Sequence, residues 1–150
     1  MNILYAYENV DEIRFLPNSK DVFPNYNDFT NFIKQTLVKR NGRYNHPNHA
    51  MRSGNNTLVF LQYDGKLVAS AILLDTIRGK CCDEVGNIYA GHYIFDMDTM
   101  VIYNSPITRE QIEGIDKEFN GFSQCKQQLD ISLLEKLLKI VKTNGYEKVI

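Results

Sequence analysis

The fold is set by the stretch from Thr57 to Leu74, which reads TLVFLQYDGKLVASAILL. Two runs of β-forming residues flank the dipeptide Asp64-Gly65, which a type I′ turn prefers, so the pattern predicts a β-hairpin. The second arm is apolar after Lys66 apart from Ser70, which is typical of a central strand covered on both faces. The small residues around Ser70 leave room beside this strand for a bulky neighbour or a bound ring.

Short strands and helices are predicted on both sides of the hairpin. Met1–Tyr7 favours a first strand, and Ile88–Tyr103 favours two strands, or one bent strand with Asp96 at the bend. Asn41–Asn56 is rich in Asn and Gly, so we expect a structured loop there. Pro106 is expected to end the strand that precedes it.

Three helices are predicted from their capping residues. Asp28 is expected to cap the first helix, and Thr108 begins a Thr-x-x-Gln capping box for the second. Asp130 is expected to cap the last helix, which ends at Asn144-Gly145 before a strand at Tyr146–Ile150.

These elements predict an α+β fold. Strands that pair by hairpin, separated by helices of unequal length, do not give the regular alternation of a doubly wound sheet. We therefore expect a strongly bent mixed sheet or pseudo-barrel flanked by helices. The length of 150 residues suits a single domain over residues 1–150. The chain stops soon after Gly145, so it could also be a piece of a longer protein.

Composition predicts a soluble, cytoplasmic protein. No stretch approaches the roughly 20 apolar residues that a membrane span needs, and we recognise no secretory leader. The three cysteines form neither an even disulfide framework nor a CxxC pair, which fits a reducing compartment.

The positive charge is concentrated in one part of the chain. No acidic residue occurs between Phe29 and Tyr63, a window that holds five lysines and arginines. The rest of the chain has 18 carboxylates against 12 lysines and arginines, although the net charge is only −1. Such a segment attracts anions, and phosphate is the obvious candidate. The phosphate contacts predicted here are Lys34, Lys39, Arg40 and Arg52.

Catalytic and metal motifs are not apparent in the sequence. His46 and His49 are spaced to share an ion, but no third ligand follows at a suitable spacing. No GxSxG elbow or P-loop is present. We therefore expect no metal, no cofactor and no enzymatic activity of the chain by itself.

Two stretches resemble a known superfamily. The first is Arg43-Tyr44-Asn45, followed by Arg52 and the strand Thr57–Tyr63; the second is Val101–Thr108 with the later turn Phe119–Gln124. Together they resemble the PUA-like superfamily, especially its EVE branch and the related modules of bacterial modification-dependent restriction nucleases. The resemblance implies a pseudo-barrel in which a nucleobase, often a modified one, enters a pocket beside a basic groove.

The resemblance also implies which residues line that pocket. Arg43, Tyr44 and Asn45 match the family's pocket loop, with Arg52 on the far side. Ser123 and Gln124 match the second wall. From the hairpin itself we add three base contacts near the same rim: Gln62, Tyr63 and Ser70.

The prediction is a nucleic-acid-binding module that reads a flipped, modified base as the recognition part of a restriction or defence system. DNA is favoured over RNA, and a nuclease domain or subunit is the expected partner. Two alternatives stay open: an acyltransferase-like enzyme, suggested by the hairpin Leu61–Ala69, and a protein interaction module without base selectivity.

Overall fold

The structure is a computed structural model that describes residues 2–46, 51, 53–123 and 126–150. Within these residues the strands are β1 (Glu12–Asn18), β2 (Arg43–His46), β3 (Thr57–Tyr63), β4 (Lys66–Cys82), β5 (Ile88–Phe95), β6 (Val101–Thr108), β7 (Gln127–Leu129) and β8 (Tyr146–Lys148). The helices are α1 (Ile3–Tyr7), α2 (Tyr26–Asn31), α3 (Arg109–Glu113) and α4 (Leu134–Asn144). A π-helical segment, Phe32–Leu37, continues α2, and 3-10 turns lie at Met97–Thr99 and Ile131–Leu133.

The predicted hairpin is confirmed as β3 and β4. Asp64 and Gly65 have φ angles of 52° and 72°, the positive pair that a type I′ turn requires. Every residue of β3 is buried, and β4 is buried from Leu67 to Ala71. The hairpin is therefore the centre of the sheet.

Strand β4 organises the other strands along its two edges. β3 pairs along one edge, from Lys66 to Leu73. Along the other edge lie β6, opposite Lys66–Ser70, and then β5, opposite Leu73–Cys82. The expected division of Ile88–Tyr103 into two strands is confirmed, since β5 and β6 follow one another along β4 with a 3-10 turn between them.

The sheet is mixed, bent and unclosed. Its main path runs β2-β5-β4-β3-β1-β7, and β6 branches from β4 to pair with β8. β1 and β3 are parallel, whereas the other pairs are antiparallel. The predicted α+β fold with a strongly bent mixed sheet flanked by helices is confirmed.

Two apolar cores lie on opposite faces of the hairpin. Successive β3 residues point to opposite faces, so Phe60 joins one cluster with Phe15 and α4, and Leu61 joins the other. The second cluster includes Phe29 of α2 and Ile33 of the π-helical segment, which together form one long helix packed against this face of the sheet. The candidate site described below lies at the edge of this second core.

The prediction of a strand at Met1–Tyr7 is wrong. Asn2 accepts a hydrogen bond from the backbone nitrogen of Leu4 at 3.0 Å and so caps α1. Ile3 and Tyr7, four residues apart, share one helical face and are both buried. The first strand is instead Glu12–Asn18, which the sequence analysis did not predict.

The loop and cap predicted between residues 28 and 56 are also corrected. Arg43–His46 forms strand β2 because it pairs with β5, a contact that local sequence does not reveal. Residues 47–50 and 52 of this stretch lie outside the described residues.

Asn25 rather than Asp28 caps α2, and its side chain accepts from the Asp28 nitrogen at 2.9 Å. The helix therefore begins before Asp28.

The predictions for the second half of the chain are mostly confirmed. Thr108 and Gln111 form the capping box of α3, and a strand follows Gly145. Asp130 caps the 3-10 turn that leads into α4. Pro106 does not end β6, because the β4–β6 register shifts around this residue and pairing resumes at Ile107.

The space beside the small residues of β4 is filled by two tyrosine rings. Ser70 lies fully buried, 2.9 Å from the Tyr7 hydroxyl and 2.5 Å from the Tyr103 hydroxyl. The Tyr7 hydroxyl donates to the Thr99 carbonyl at 2.7 Å, and a carbonyl can only accept. Ser70 must then donate to Tyr7 and accept from Tyr103. Burial raises the pKa values of both tyrosines well above 10, so both phenols stay protonated.

We expect Ser70→Ala to lower the free energy of unfolding by about 1–3 kcal/mol, because two buried hydroxyls lose a partner. Urea denaturation followed by circular dichroism measures this change. Ser105→Ala, at an exposed position of β6, is the matched control and should change stability by less than about 0.5 kcal/mol. Equal effects of the two substitutions would contradict the arrangement in which Tyr103 donates to Ser70 and Ser70 donates to Tyr7.

Candidate functional site

A side-chain hydrogen bond links two strands that the sheet itself leaves unpaired. The Tyr44 hydroxyl of β2 donates to the Asn18 Oδ1 atom at the end of β1. The Asn18 amide nitrogen donates to the carbonyls of Leu16 and Gln62, at 3.0 and 3.1 Å. Asn18 therefore joins β2, at one edge of the bent sheet, to β1 and β3, which lie near the other edge.

A cavity of about 310 Å³ lies beside this link. Its walls come from the end of β1, the segment after it, the long helix, β2 and the start of β5. It is lined by Pro17, Asn18, Ser19, Val22, Phe23, Phe32, Arg40, Tyr44, Asn45 and Tyr89. The volume is at the lower end of the roughly 300–1,000 Å³ typical of small-molecule pockets.

Aromatic rings form much of the cavity wall. Phe23 and Phe32 pack together with ring centroids 4.9 Å apart, and Phe32 meets the edge of Tyr44 at 5.9 Å. Tyr44 also contacts Tyr93 and Phe95 in the core, so its ring is part of the packing rather than a loop aromatic. Tyr89 differs from these, because it packs against no other ring among the described residues.

The polar side of the cavity is formed by β2. The Arg43 Nε atom donates to the Asn45 Oδ1 atom at 3.1 Å, which fixes the direction of the Asn45 amide. The amide nitrogen of Asn45 is buried and has no hydrogen-bond partner among the described residues. An unpaired buried donor is costly, so a ligand atom that accepts a hydrogen bond would be favoured here.

Arg40 carries a fixed positive charge at the rim of the cavity. Its Nε and Nη2 atoms donate to the two carboxylate oxygens of Glu84, at 2.8 and 2.6 Å. Glu84 comes from the turn between β4 and β5, far from Arg40 in sequence. The segment without acidic residues therefore has an acidic neighbour in space.

Protonation around the cavity follows from burial and nearby charge. Burial raises the pKa of Tyr44, so its hydroxyl remains the donor to Asn18. His92, which pairs with Asn45 across the strands, has its pKa lowered by burial and by Arg43, so it is neutral at pH 7. His46 is buried against Tyr93, so it does not add to a basic surface.

Two predicted base contacts, Ser70 and Tyr63, lie in the core instead of the cavity. Ser70 is enclosed by Tyr7 and Tyr103 as described above. Tyr63 is 3% exposed, stacks on Phe29 at 5.0 Å and donates to the Phe23 carbonyl at 2.5 Å. Neither hydroxyl is open to a ligand, so we correct both assignments. Tyr63 supports the site only by holding the backbone of Phe23.

Gln62 and Ser123 meet one another, but on the other face of the sheet. The Gln62 amide donates to the Ser123 carbonyl at 2.9 Å, on the face that carries Phe60. The cavity lies on the face that carries Leu61. The predicted second wall is therefore separated from Tyr44 by strand β3. Gln124 and Arg52, also predicted to line or flank the pocket, lie outside the described residues.

The predicted phosphate contacts are spread over the surface. Arg40 lies at the cavity rim, whereas Lys34 lines a different groove beside β6 and β8. Lys39 is exposed next to Arg40 in sequence. The structure thus brings together four predicted site residues: Arg40, Arg43, Tyr44 and Asn45.

Seven cavity residues were missed by the sequence analysis: Pro17, Asn18, Ser19, Val22, Phe23, Phe32 and Tyr89. They come from β1 and the segment after it, the long helix and the start of β5, and residues of these kinds are common outside sites. Tyr89 is half-buried, and no motif of the sequence distinguishes it.

The described residues contain no helix that is long and apolar enough to cross a membrane. In the same part of the chain, no three His, Cys, Asp or Glu side chains come together as metal ligands would.

Two solved structures resemble this fold. ZmASCH from Zymomonas mobilis, seen in a serine-to-alanine mutant, is 12% identical, with a TM-score of 0.55 over 89% of this chain and 96% of that protein. Protein Atu2648 from Agrobacterium tumefaciens is 8% identical, with a TM-score of 0.47 over 90% and 94%. The likeness to ZmASCH supports a PUA-like fold.

At 12% identity the likeness concerns the fold alone. No protein-family model and no curated protein sequence matches this chain. Membership of the EVE branch stays a prediction. The acyltransferase-like enzyme and the protein interaction module also stay predictions.

We expect Tyr44→Phe to lower the free energy of unfolding by about 0.5–1.5 kcal/mol, because the hydrogen bond that joins β2 to β1 is lost. Amide protons of β2 should also exchange faster with solvent. Tyr146→Phe is the control, since its hydroxyl makes no hydrogen bond within the described residues. Unchanged amide hydrogen exchange in β2 after Tyr44→Phe would show that this bond does not hold β2 against β1.

Proposed function

We propose that this chain is a nucleic-acid-binding module that takes a single base into the cavity beside Tyr44. One observation carries the proposal: aromatic rings, the Arg40 guanidinium group and Asn45, whose buried amide nitrogen has no hydrogen-bond partner among the described residues, all line the same cavity. A reader of an unstacked base needs a ring to stack on, polar groups for the base edge and cations for the backbone. The PUA-like fold is consistent with this proposal.

Each part of the cavity has a separate role in this proposal. Tyr89 supplies the stacking face, because its ring lines the cavity without packing against another ring among the described residues. The Asn45 amide nitrogen donates to an acceptor on the base edge. Arg40 lines the cavity, and Arg43 lies beside it through its bond to Asn45; we propose that both contact phosphates of the same strand.

The finer expectations rest on the EVE resemblance alone. They are that the base is modified, that DNA is bound in preference to RNA, and that the module serves a restriction or defence system. We propose binding by itself, without a catalytic step. A nuclease domain or subunit would supply any cleavage.

A binding panel tests the function directly. Fluorescence anisotropy at low salt would compare single-stranded and double-stranded DNA and RNA, plain and with modified cytosine or adenine. We expect at least one class to bind, with affinity that falls steeply as salt rises. If no member of the panel binds at low salt, the proposed function is wrong.

We expect Tyr89→Ala to weaken binding roughly 5- to 100-fold, the loss of about 1–3 kcal/mol of base stacking. Tyr5→Ala is the matched control, because Tyr5 is 69% exposed on α1 and does not line the cavity. A loss of the same size in both variants would argue against stacking on Tyr89.

We expect Asn45→Asp to change the preference among bases, because it replaces an amide donor by a carboxylate oxygen of the same shape. The control is Asn120→Asp, which adds the same charge at an exposed loop position. The comparison uses the best-bound and worst-bound members of the panel. A uniform loss for all bases, matched by the control, would mean that the charge and not base reading is responsible.

We expect Arg43→Ala to weaken binding and to reduce the slope of log affinity against log salt by about 1, as for one lost phosphate contact. Lys117→Ala, at an exposed position outside the cavity, should leave the slope unchanged. Weaker binding with an unchanged slope would instead identify Arg43 as the group that positions Asn45.

A further inference from the structure

The turn between β4 and β5 is fastened to the rim of the cavity. Its Glu84 carboxylate accepts two hydrogen bonds from Arg40, at 2.8 and 2.6 Å. Just before the turn, the Cys82 carbonyl accepts from the Arg43 Nη2 atom at 3.1 Å. Just after it, the Tyr89 hydroxyl donates to the Asp83 carboxylate at 3.2 Å. Three cavity or rim residues thus contact this turn or its flank.

The turn has its own internal structure. The Asp83 carboxylate accepts from the backbone nitrogens of Val85 and Asn87, at 3.1 and 2.9 Å, and from the Asn87 amide at 3.0 Å. These bonds hold Asp83–Asn87 together without help from the rest of the protein. Asp83–Asn87 is thus a compact unit with its own hydrogen bonds.

The Arg40–Glu84 pair is asymmetric. The Arg40 side chain is 16% exposed and belongs to the cavity wall, whereas the Glu84 side chain is 67% exposed. Breaking the pair exposes a carboxylate that is already largely in water, but it frees a guanidinium edge next to the cavity. Because Glu84 is the largely exposed member of the pair, exchanging it for another anion leaves no buried carboxylate without a partner.

The geometry of the pair is that of an anion site. Two parallel hydrogen bonds from one guanidinium edge to two oxygens are the arrangement by which arginine binds carboxylate and phosphate alike. The bond from Arg40 lowers the pKa of Glu84, so the carboxylate is charged at neutral pH. Glu84 thus occupies the position that a phosphate group would take.

We propose that Arg40 is a phosphate subsite of the cavity, that Glu84 fills it in the free protein, and that a ligand phosphate displaces Glu84 together with its turn. This inference rests on the proposed function, because it takes the ligand to be a nucleotide chain with its base in the cavity. No covalent bond changes. One anion replaces another at the same guanidinium edge.

Glu84 is then an internal competitor that lowers the apparent affinity. When a binding-competent state is only a fraction of the population, the dissociation constant rises by the inverse of that fraction. From the usual strength of an exposed ion pair, we expect Glu84→Gln to tighten oligonucleotide binding about two- to fivefold. Glutamine keeps the size and shape of the side chain and removes only its charge.

The experiment is a double-mutant cycle with Glu84→Gln and Arg40→Ala, measured by anisotropy on a labelled oligonucleotide that binds the wild-type protein. We expect Glu84→Gln to tighten binding in the wild-type background and to have no effect once Arg40 is replaced. Glu118→Gln removes an exposed charge elsewhere and controls for overall electrostatics. Circular dichroism checks that each variant is folded.

A second measurement does not depend on nucleic-acid binding. Inorganic phosphate is titrated into the wild-type and Glu84→Gln proteins while the Arg40 Nε resonance is followed by NMR. We expect the resonance to respond at lower phosphate concentration in the variant. If no oligonucleotide binds but this response is seen, the proposed function fails and the phosphate subsite stands.

Two results would overturn the inference. The first is an oligonucleotide affinity that Glu84→Gln leaves unchanged or weakens, together with an Arg40 Nε resonance that does not respond to phosphate. This result would show that the ion pair only holds the turn in place. A gain in affinity that persists in the Arg40→Ala background, or that Glu118→Gln reproduces, would assign the effect to general charge and not to competition at Arg40.

Discussion

Pairing along the seventeen residues of β4 determines the shape of the whole sheet. Neighbouring strands twist by roughly 20–25° relative to one another, so a strand of this length cannot keep both of its halves in one plane. β4 therefore pairs first with β3 and β6 and then with β5, and the sheet bends where β6 gives way to β5. Because of this bend, β2 lies next to the end of β1.

The cavity is a product of this geometry. Tyr44 reaches Asn18 only because the edges of the sheet approach one another without pairing. Side chains, and not a backbone ladder, fill the remaining gap. The space that they leave is walled by rings on one side and bordered by amides and guanidinium groups on the other.

Local chemistry explains which parts of the fold could be predicted from the sequence. Asp64-Gly65 specifies a turn by its own backbone preferences, and Thr108 with Gln111 specifies a cap within one turn of helix. Strands β1 and β2 could not be predicted, because each exists only through pairing with a partner far along the chain. The same reason applies to the site. Tyr44 and Asn45 adjoin in sequence and were found, whereas Asn18 and Tyr89 are brought in by the bend.

The electropositive surface could not be predicted reliably from the sequence for the same reason, because contacts between distant segments decide it. A window without acidic residues predicts an electropositive surface only if no other segment folds against it. Glu84 does so, and Gln62 points its amide to the opposite face from the one expected. Alternation along a strand assigns faces correctly only when the register is known.

The parallel pairing of β1 with β3 has a consequence for how the molecule is assembled. Glu12 lies opposite Thr57, so this contact closes a loop of about 45 residues, whereas the β3–β4 hairpin closes across two. Contacts distant in sequence form after local ones, because chain entropy must be lost before they stabilise anything. The end of β1 therefore docks late, and a partly folded chain, with its hairpin already formed, still has no cavity.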